Sequence, residues 1–203
     1  MPSQKAANKL AKSFTSLGIL LILISAVIAI LTFLPVAKEE ISYAFRPKNI
    51  TAEIVPVDTD FGIVIPKLNA NSKVITNVDP FDSRIYQIAL TQGVAHARGT
   101  GLPGAPGNVF LFSHSSVNFY EASRYNSVFY LLTKLELDDE IQIYYQGNKY
   151  TYTIRNKSIV LPTDVQYLKA LNADRETVTL MTCWPPGTTF KRLLVIAERK
   201  VDE

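Results

Sequence analysis

The run from Leu17 to Val36 constrains this chain more than any other stretch. Its 20 residues carry no charge, and only Gly18, Ser25, Thr32 and Pro35 break the apolar series. A helix crossing a hydrocarbon core needs about 20 apolar residues, so the run reads as a membrane span. Lys5, Lys9 and Lys12 precede it, with no acidic residue before Glu39. Basic residues stay on the cytoplasmic side, which puts the N-terminus inside and everything after Lys38 outside. A cleaved signal peptide shares this polarity. Its core is only about 7–15 residues, however, and the one available exit, at Ala37, would place Pro35 where a small residue belongs. The expected order is a cytoplasmic tail 1–16, a transmembrane anchor 17–36, a stalk 37–59 and an extracytoplasmic domain 60–203.

Charge then limits the partners. With the three tail lysines set aside, 18 basic residues face 18 acidic ones, so the exported part is formally neutral. Nucleic acid is not an expected partner, while the basic tail suits contact with anionic membrane lipid. The single cysteine, Cys183, cannot form an internal disulfide. It is either a small buried apolar residue or kept for its chemistry. One Cys and two His, His96 and His114, offer no paired ligand motif, so neither metal nor another cofactor is expected. No Gly-x-Ser-x-Gly elbow supports a serine nucleophile.

The exported part reads as mainly β. Phe61 to Ile65 and Lys73 to Val78 are short strands around an Asn69, Asn71, Ser72 turn, and Asp79-Pro80 breaks the second. Ser83 to Gln92 reads as a helix with Ser83 as N-cap and Gly93 as stop. After a loop rich in glycine and proline, Gly99 to Gly107, the run Asn108 to Ser113 is a buried strand that delivers His114 at its end. Ser127 to Leu135 has a short helical or turn-like character. Glu140 to Tyr145 and Tyr150 to about Leu161 alternate as a hairpin around Gly147-Asn148. Pro162 to Leu171 suits a short helix, and the strands Glu176 to Thr182 and Arg192 to Ala197 close the chain. About eight strands with no regular β-α-β alternation point to a closed or nearly closed β-barrel with a few short helices outside.

The last two strands matter most. If they pair as antiparallel neighbours, Cys183 at the end of one and Arg192 at the start of the next put a thiol and a guanidinium across one loop. A thiol of ordinary pKa, about 8.5, is mostly protonated at neutral pH, so a base and a cation are needed to make it a nucleophile. One of the two histidines, His96 or His114, can supply the base, and Arg192 a permanent cation able to steady an oxyanion.

Four separated pieces resemble the sortases, the cysteine transpeptidases of bacterial surfaces. Thr179-Leu180-Met181-Thr182-Cys183 is similar to the family's Thr-Leu-x-Thr-Cys signature, and Arg192 with Leu-Leu-Val-Ile-Ala to its arginine and following strand. Gly93-Val94-Ala95-His96, running into Gly99 to Gly104 and Gly107-Asn108, resembles the segment before the catalytic histidine, which His114 then matches. The resemblance spans about residues 61 to 199 and implies an eight-stranded sortase-like barrel. It implies that Cys183 cleaves a Leu-Pro-x-Thr-Gly-like sorting signal through a thioester, with His114 as acid and base and Arg192 as oxyanion partner. His96 then has no assigned chemistry and is expected to pack in a loop. Thr182 and Trp184 are the substrate-binding candidates. Secreted proteins with C-terminal sorting signals and an amine acceptor of the cell envelope are the implied partners.

Ser113-His114-Ser115-Ser116 and Trp184-Pro185-Pro186-Gly187 depart from the commonest class, and Cys-x-Pro is similar to the smaller classes D and E. Asp79-Pro80-Phe81 is similar to the lid tripeptide of pilus-building class C members, but it follows the second strand and is read as a strand-to-helix turn. A pilin polymerase, a processing peptidase and a catalytically silent peptide-binding domain stay open as other readings.

Overall fold

A computed structural model describes residues 4–45, 54–115, 128–168 and 174–200. Residues 46–53 of the expected stalk, Ser116, Ser127 and the end of the helix expected up to Leu171 lie outside the described residues. Two compact units divide at Ala44.

The first unit contains one helix, α1, over Gln4–Ala44. Its stretch Lys12–Leu34 is long and apolar enough to cross a membrane and has no part buried against protein. Thr32 donates its hydroxyl to the Ile28 carbonyl at 2.7 Å, satisfying inside the helix a group that hydrocarbon could not. The helix continues past Val36 into the segment expected as a stalk. Extending an existing helix needs no new nucleus, and Ala37 to Ala44 contains good helix formers without Gly or Pro.

The second unit is built on eight strands: β1 (Phe61–Ile65), β2 (Ala70–Val78), β3 (Val94–Ala97), β4 (Gly107–Phe112), β5 (Glu140–Tyr145), β6 (Asn148–Val160), β7 (Glu176–Trp184) and β8 (Lys191–Arg199). They close a barrel in the order β1-β2-β3-β4-β7-β8-β6-β5. β2 with β3 and β4 with β7 pair in parallel, and every other neighbour is antiparallel. Ile63, Leu111, Ile141, Ile143, Tyr152, Ile154, Val178, Leu180 and Val195, none more than 1 % exposed, belong to its buried core.

A further buried cluster forms where the helix α2 (Ser83–Leu90) joins the sheet. Ala89 and Leu90 there group with Val78, Phe110, Phe112 and Leu194, and Tyr86, Val160, Tyr167, Leu168 and Met181 pack against them. Short 3-10 turns occupy Pro66–Leu68, Tyr130–Lys134 and Val165–Leu168.

Four local expectations shift. Asp82, not Ser83, caps α2, its carboxylate accepting from the Arg84 N–H at 3.0 Å. The first β turn is a 3-10 turn ending at left-handed Asn69, so Asn71 and Ser72 belong to β2. The hairpin turns on Gln146-Gly147, both at positive φ as a type I′ turn requires, and Asn148 pairs with Tyr145 as the first residue of β6. Val94–Ala97, expected only as a lead-in to the histidine segment, is itself a strand. Four buried residues are too short a run for a period to show.

His96 therefore sits in a strand rather than a loop, 4 % exposed and paired in register with Leu111. Its Nε2 donates to the Gly101 carbonyl at 2.9 Å, and its Nδ1 accepts from the Asn77 N–H at 3.4 Å. Burial pushes its pKa below the ordinary 6.5, partly offset by the Gly101 bond. The unfolded chain then binds the proton more readily than the folded one. Stability should be full above pH 6.5 and fall as pH drops from there toward the lowered folded value. In urea unfolding followed by Trp184 fluorescence, His96→Asn is expected to lack this component, so wild type and variant converge on acidification. A gap independent of pH would refute the assignment.

Candidate active site

β4 and β7 run side by side in the same direction, from Gly107 opposite Glu176 to Phe112 opposite Met181. Their C-terminal ends therefore share one rim of the barrel. β8 returns antiparallel from that rim, with Arg192 directly across from Cys183. Alternation of side chains along a strand then sorts the faces. Phe110 and Phe112 lead to His114, Met181 leads to Cys183, and Arg192 leads to Leu194. All seven line a single cleft of about 290 Å³.

The floor of this cleft is the apolar cluster on α2 and the sheet. Pro80 and Phe81 line one side, and Leu161, Pro162, Asp164 and Val165 line another. The volume is close to the lower end, about 300 Å³, of ordinary ligand sites, which suits a few side chains of an extended peptide. Asp79-Pro80-Phe81 forms the strand-to-helix turn expected of it. Asp79 accepts from the Phe81 N–H at 2.9 Å and pairs with Arg98.

The His114 segment is tied to the Cys183 strand by two bonds beyond the regular ladder. The Ser113 N–H donates to the Met181 carbonyl at 3.2 Å, and the Thr182 hydroxyl donates to the Ser113 carbonyl at 2.9 Å. Thr182 is 3 % exposed, so its hydroxyl is committed to the backbone before His114. Cys183 is a half-buried free thiol. Arg192 anchors Nη1 on the Thr189 and Lys191 carbonyls, both at 3.0 Å. Its Nε and Nη2 make no hydrogen bond among the described residues, and both are donors a developing oxyanion can use. Trp184 ends β7 half-buried, joined to Pro185 by a cis peptide bond. Alternation turns it to the face opposite Cys183, and it does not line the cleft.

Asn108 is a supporting residue that the sequence does not single out. It is 1 % exposed, and its carboxamide oxygen accepts from the Thr177 and Thr179 hydroxyls at 3.3 and 2.9 Å. Its Nδ2 donates to the Tyr167 carbonyl at 3.1 Å. This network ties the Val165–Leu168 wall of the cleft to the strands that carry the thiol and the histidine. An asparagine at the start of an apolar strand gives no hint of three such partners, of which only Thr179 falls in the signature before the cysteine.

The profile of the sortase domain matches residues 63–200. Sortase A from Corynebacterium diphtheriae, in a lid-mutant structure, is 26 % identical at a TM-score of 0.60, covering 75 % of this chain and 74 % of that one. Sortase C-1 from Actinomyces oris is 25 % identical at 0.59, covering 83 % and 98 %. A Clostridium perfringens sortase D5 transpeptidase, at 22 % identity and 0.57 over 84 % and 99 %, shares the fold. A search of curated proteins returned no match. With the domain profile covering two thirds of the chain and the barrel shared, this protein belongs to the sortase family of cysteine transpeptidases.

Proposed function

We propose that this chain is a membrane-anchored sortase that cuts a Leu-Pro-x-Thr-Gly-like sorting signal and joins the freed carboxyl end to an amine of the cell envelope. The observation that carries the reading is the convergence of His114, Cys183 and Arg192 on one cleft with an apolar floor. α1 is the anchor, with its N-terminus in the cytoplasm and the barrel outside.

The Cys183 thiolate attacks the threonine carbonyl carbon, and the charge moves onto the carbonyl oxygen. Arg192 donates to that oxygen. The carbon–nitrogen bond then breaks, His114 gives its proton to the leaving amine, and a thioester remains on Sγ. An incoming amine attacks the thioester, His114 accepts the amine proton, and Cys183 returns as thiolate. One imidazole serves both halves because the second reverses the first. Thr182 acts indirectly, holding the Ser113 carbonyl and through it the histidine segment.

Full-length protein in detergent micelles, mixed with a sorting-signal peptide, is expected to gain the mass of the acyl fragment on Cys183. Cys183→Ala should abolish that adduct and all turnover. Absence of the adduct from the wild type would sink the reading. Loss of an oxyanion donor typically costs 10²–10³ in kcat, so Arg192→Ala should lose about a hundredfold or more, with a smaller change in KM. A loss confined to KM would assign Arg192 to peptide binding alone.

Thr182→Val removes the bond to Ser113, and a lost hydrogen bond to a buried carbonyl costs about 1–3 kcal/mol. Its kcat should fall while the peptide KM holds, and Thr182→Ser should restore it. Equal behaviour of the Val and Ser variants would show that only side-chain volume matters.

A further inference from the structure

Of the twelve described carboxylates from Asp58 to Glu198, eight are matched with a lysine or arginine. Asp79, Asp82, Glu136, Asp138, Asp139, Glu140, Glu176 and Glu198 each have a basic nitrogen within 4.0 Å. Asp58, Asp60, Asp164 and Asp174 have none among the described residues, and of these four only Asp164 lines the cleft that holds His114, Cys183 and Arg192. Its place is fixed by the turn after β6. Oδ2 accepts from the Leu161 N–H at 3.1 Å, and the Asp164 N–H donates to the Leu161 carbonyl at 3.1 Å.

The obvious internal partner is already engaged elsewhere. Val160, the last residue of β6, is the register partner of Arg192, so the turn bearing Asp164 leaves the sheet beside that arginine. Yet Arg192 spends Nη1 on two loop carbonyls and has no carboxylate within 4.0 Å among the described residues. The cleft thus keeps a fixed negative charge on its β6 side and a fixed positive charge on β8. Arg192 suits a developing oxyanion; a carboxylate at the mouth of the same cleft suits a cation.

We propose that Asp164 binds a primary ammonium group of a substrate. This rests on the transpeptidase reading of Cys183. Two substrate parts can present that chemistry: the amine acceptor before it loses its proton, and a lysine side chain within the donor peptide. In either case Asp164 is a binding residue that draws the ammonium to the cleft mouth. It takes no proton itself, since a carboxylate beside an ammonium holds the amine proton on.

The test uses the full chain in detergent micelles and two ratios, each measured within one protein so that any misfolded fraction cancels. The acceptor ratio is kcat/KM for Nα-acetyl-lysine amide over that for hydroxylamine, which is mostly uncharged at neutral pH. The donor ratio is the rate of thioester formation for a sorting-signal peptide with lysine at its variable position over that for one with alanine. Asp164→Asn is expected to lower one ratio about fivefold, the scale of one exposed ion pair, with Asp164→Glu restoring it. The ratio that moves identifies the source of the ammonium. Both ratios unchanged would overturn the proposal, including the case in which Asp164 merely orients Arg192 and all rates fall together. No thioester on wild-type Cys183 would instead overturn the parent reading, and that is seen before either ratio is taken.

Discussion

Everything at the rim that bears His114 and Cys183 depends on the parallel pairing of β4 with β7. More than sixty residues separate the two strands in sequence, and they meet through register alone, Phe112 beside Met181. A parallel pair cannot be joined by a tight turn, so the intervening hairpin of β5 and β6 is accommodated around the rest of the barrel. Because both strands point the same way, the residue after β4 and the last residues of β7 emerge together. Had the pair been antiparallel, His114 and Cys183 would lie at opposite ends. A slip of one residue would turn the thiol to the other face of the sheet. The Thr182 to Ser113 bond guards against such a slip where the regular ladder runs out.

The two ends of the barrel use charge differently. Glu176 begins β7, seven residues before Cys183, which is roughly 23 Å along an extended strand. There the Tyr152 hydroxyl and the Gly104 N–H both donate to Glu176, and Arg199 pairs with it at 3.7 Å while its guanidinium lies over the Tyr150 ring. Burial, and then the bond to Glu176, push the Tyr152 phenol far above its ordinary range. Gly104 is required here: its φ is +90°, and a Cβ would come within 2.8 Å of the Tyr150 hydroxyl. Here Glu176 and Arg199 answer each other within the protein. At the cleft end, Arg192 and Asp164 answer no opposite charge within the described chain, and each is held by backbone groups instead.

That contrast explains what could be read from sequence. The long apolar helix, seven of the eight strands and the Cys183–Arg192 juxtaposition were legible because each follows from local pattern: an uncharged run, period-2 alternation, or two strands joined by one loop. His114 was legible by its place at a strand end and by the sortase resemblance. β3 was not, since four buried residues carry no period. Asn108 and Asp164 were not, because their meaning lies in partners found only after folding. Asn108 gains three, and Asp164 is the one carboxylate that the fold brings to the lining of the cleft. Trp184 was weighted by being next to the cysteine, but adjacency along a strand means opposite faces.

The arrangement also accounts for why so small a cleft can serve a large substrate. Under the proposed function, a peptide need bury only a few side chains in the apolar pocket. Specificity then comes from the side chains at the rim rather than from enclosed volume. The walls that bear those side chains are held differently: Pro80-Phe81 by Asp79 and the Asp82 cap, the Val165–Leu168 turn by Asn108, and the Arg192 loop by its own carbonyls. Each wall can change its residues without disturbing the register that sets thiol, imidazole and guanidinium. Substitutions at Phe81 or Asp164 should therefore redirect the choice of substrate, whereas substitutions at Thr182 or Asn108 should weaken the chemistry for all substrates alike.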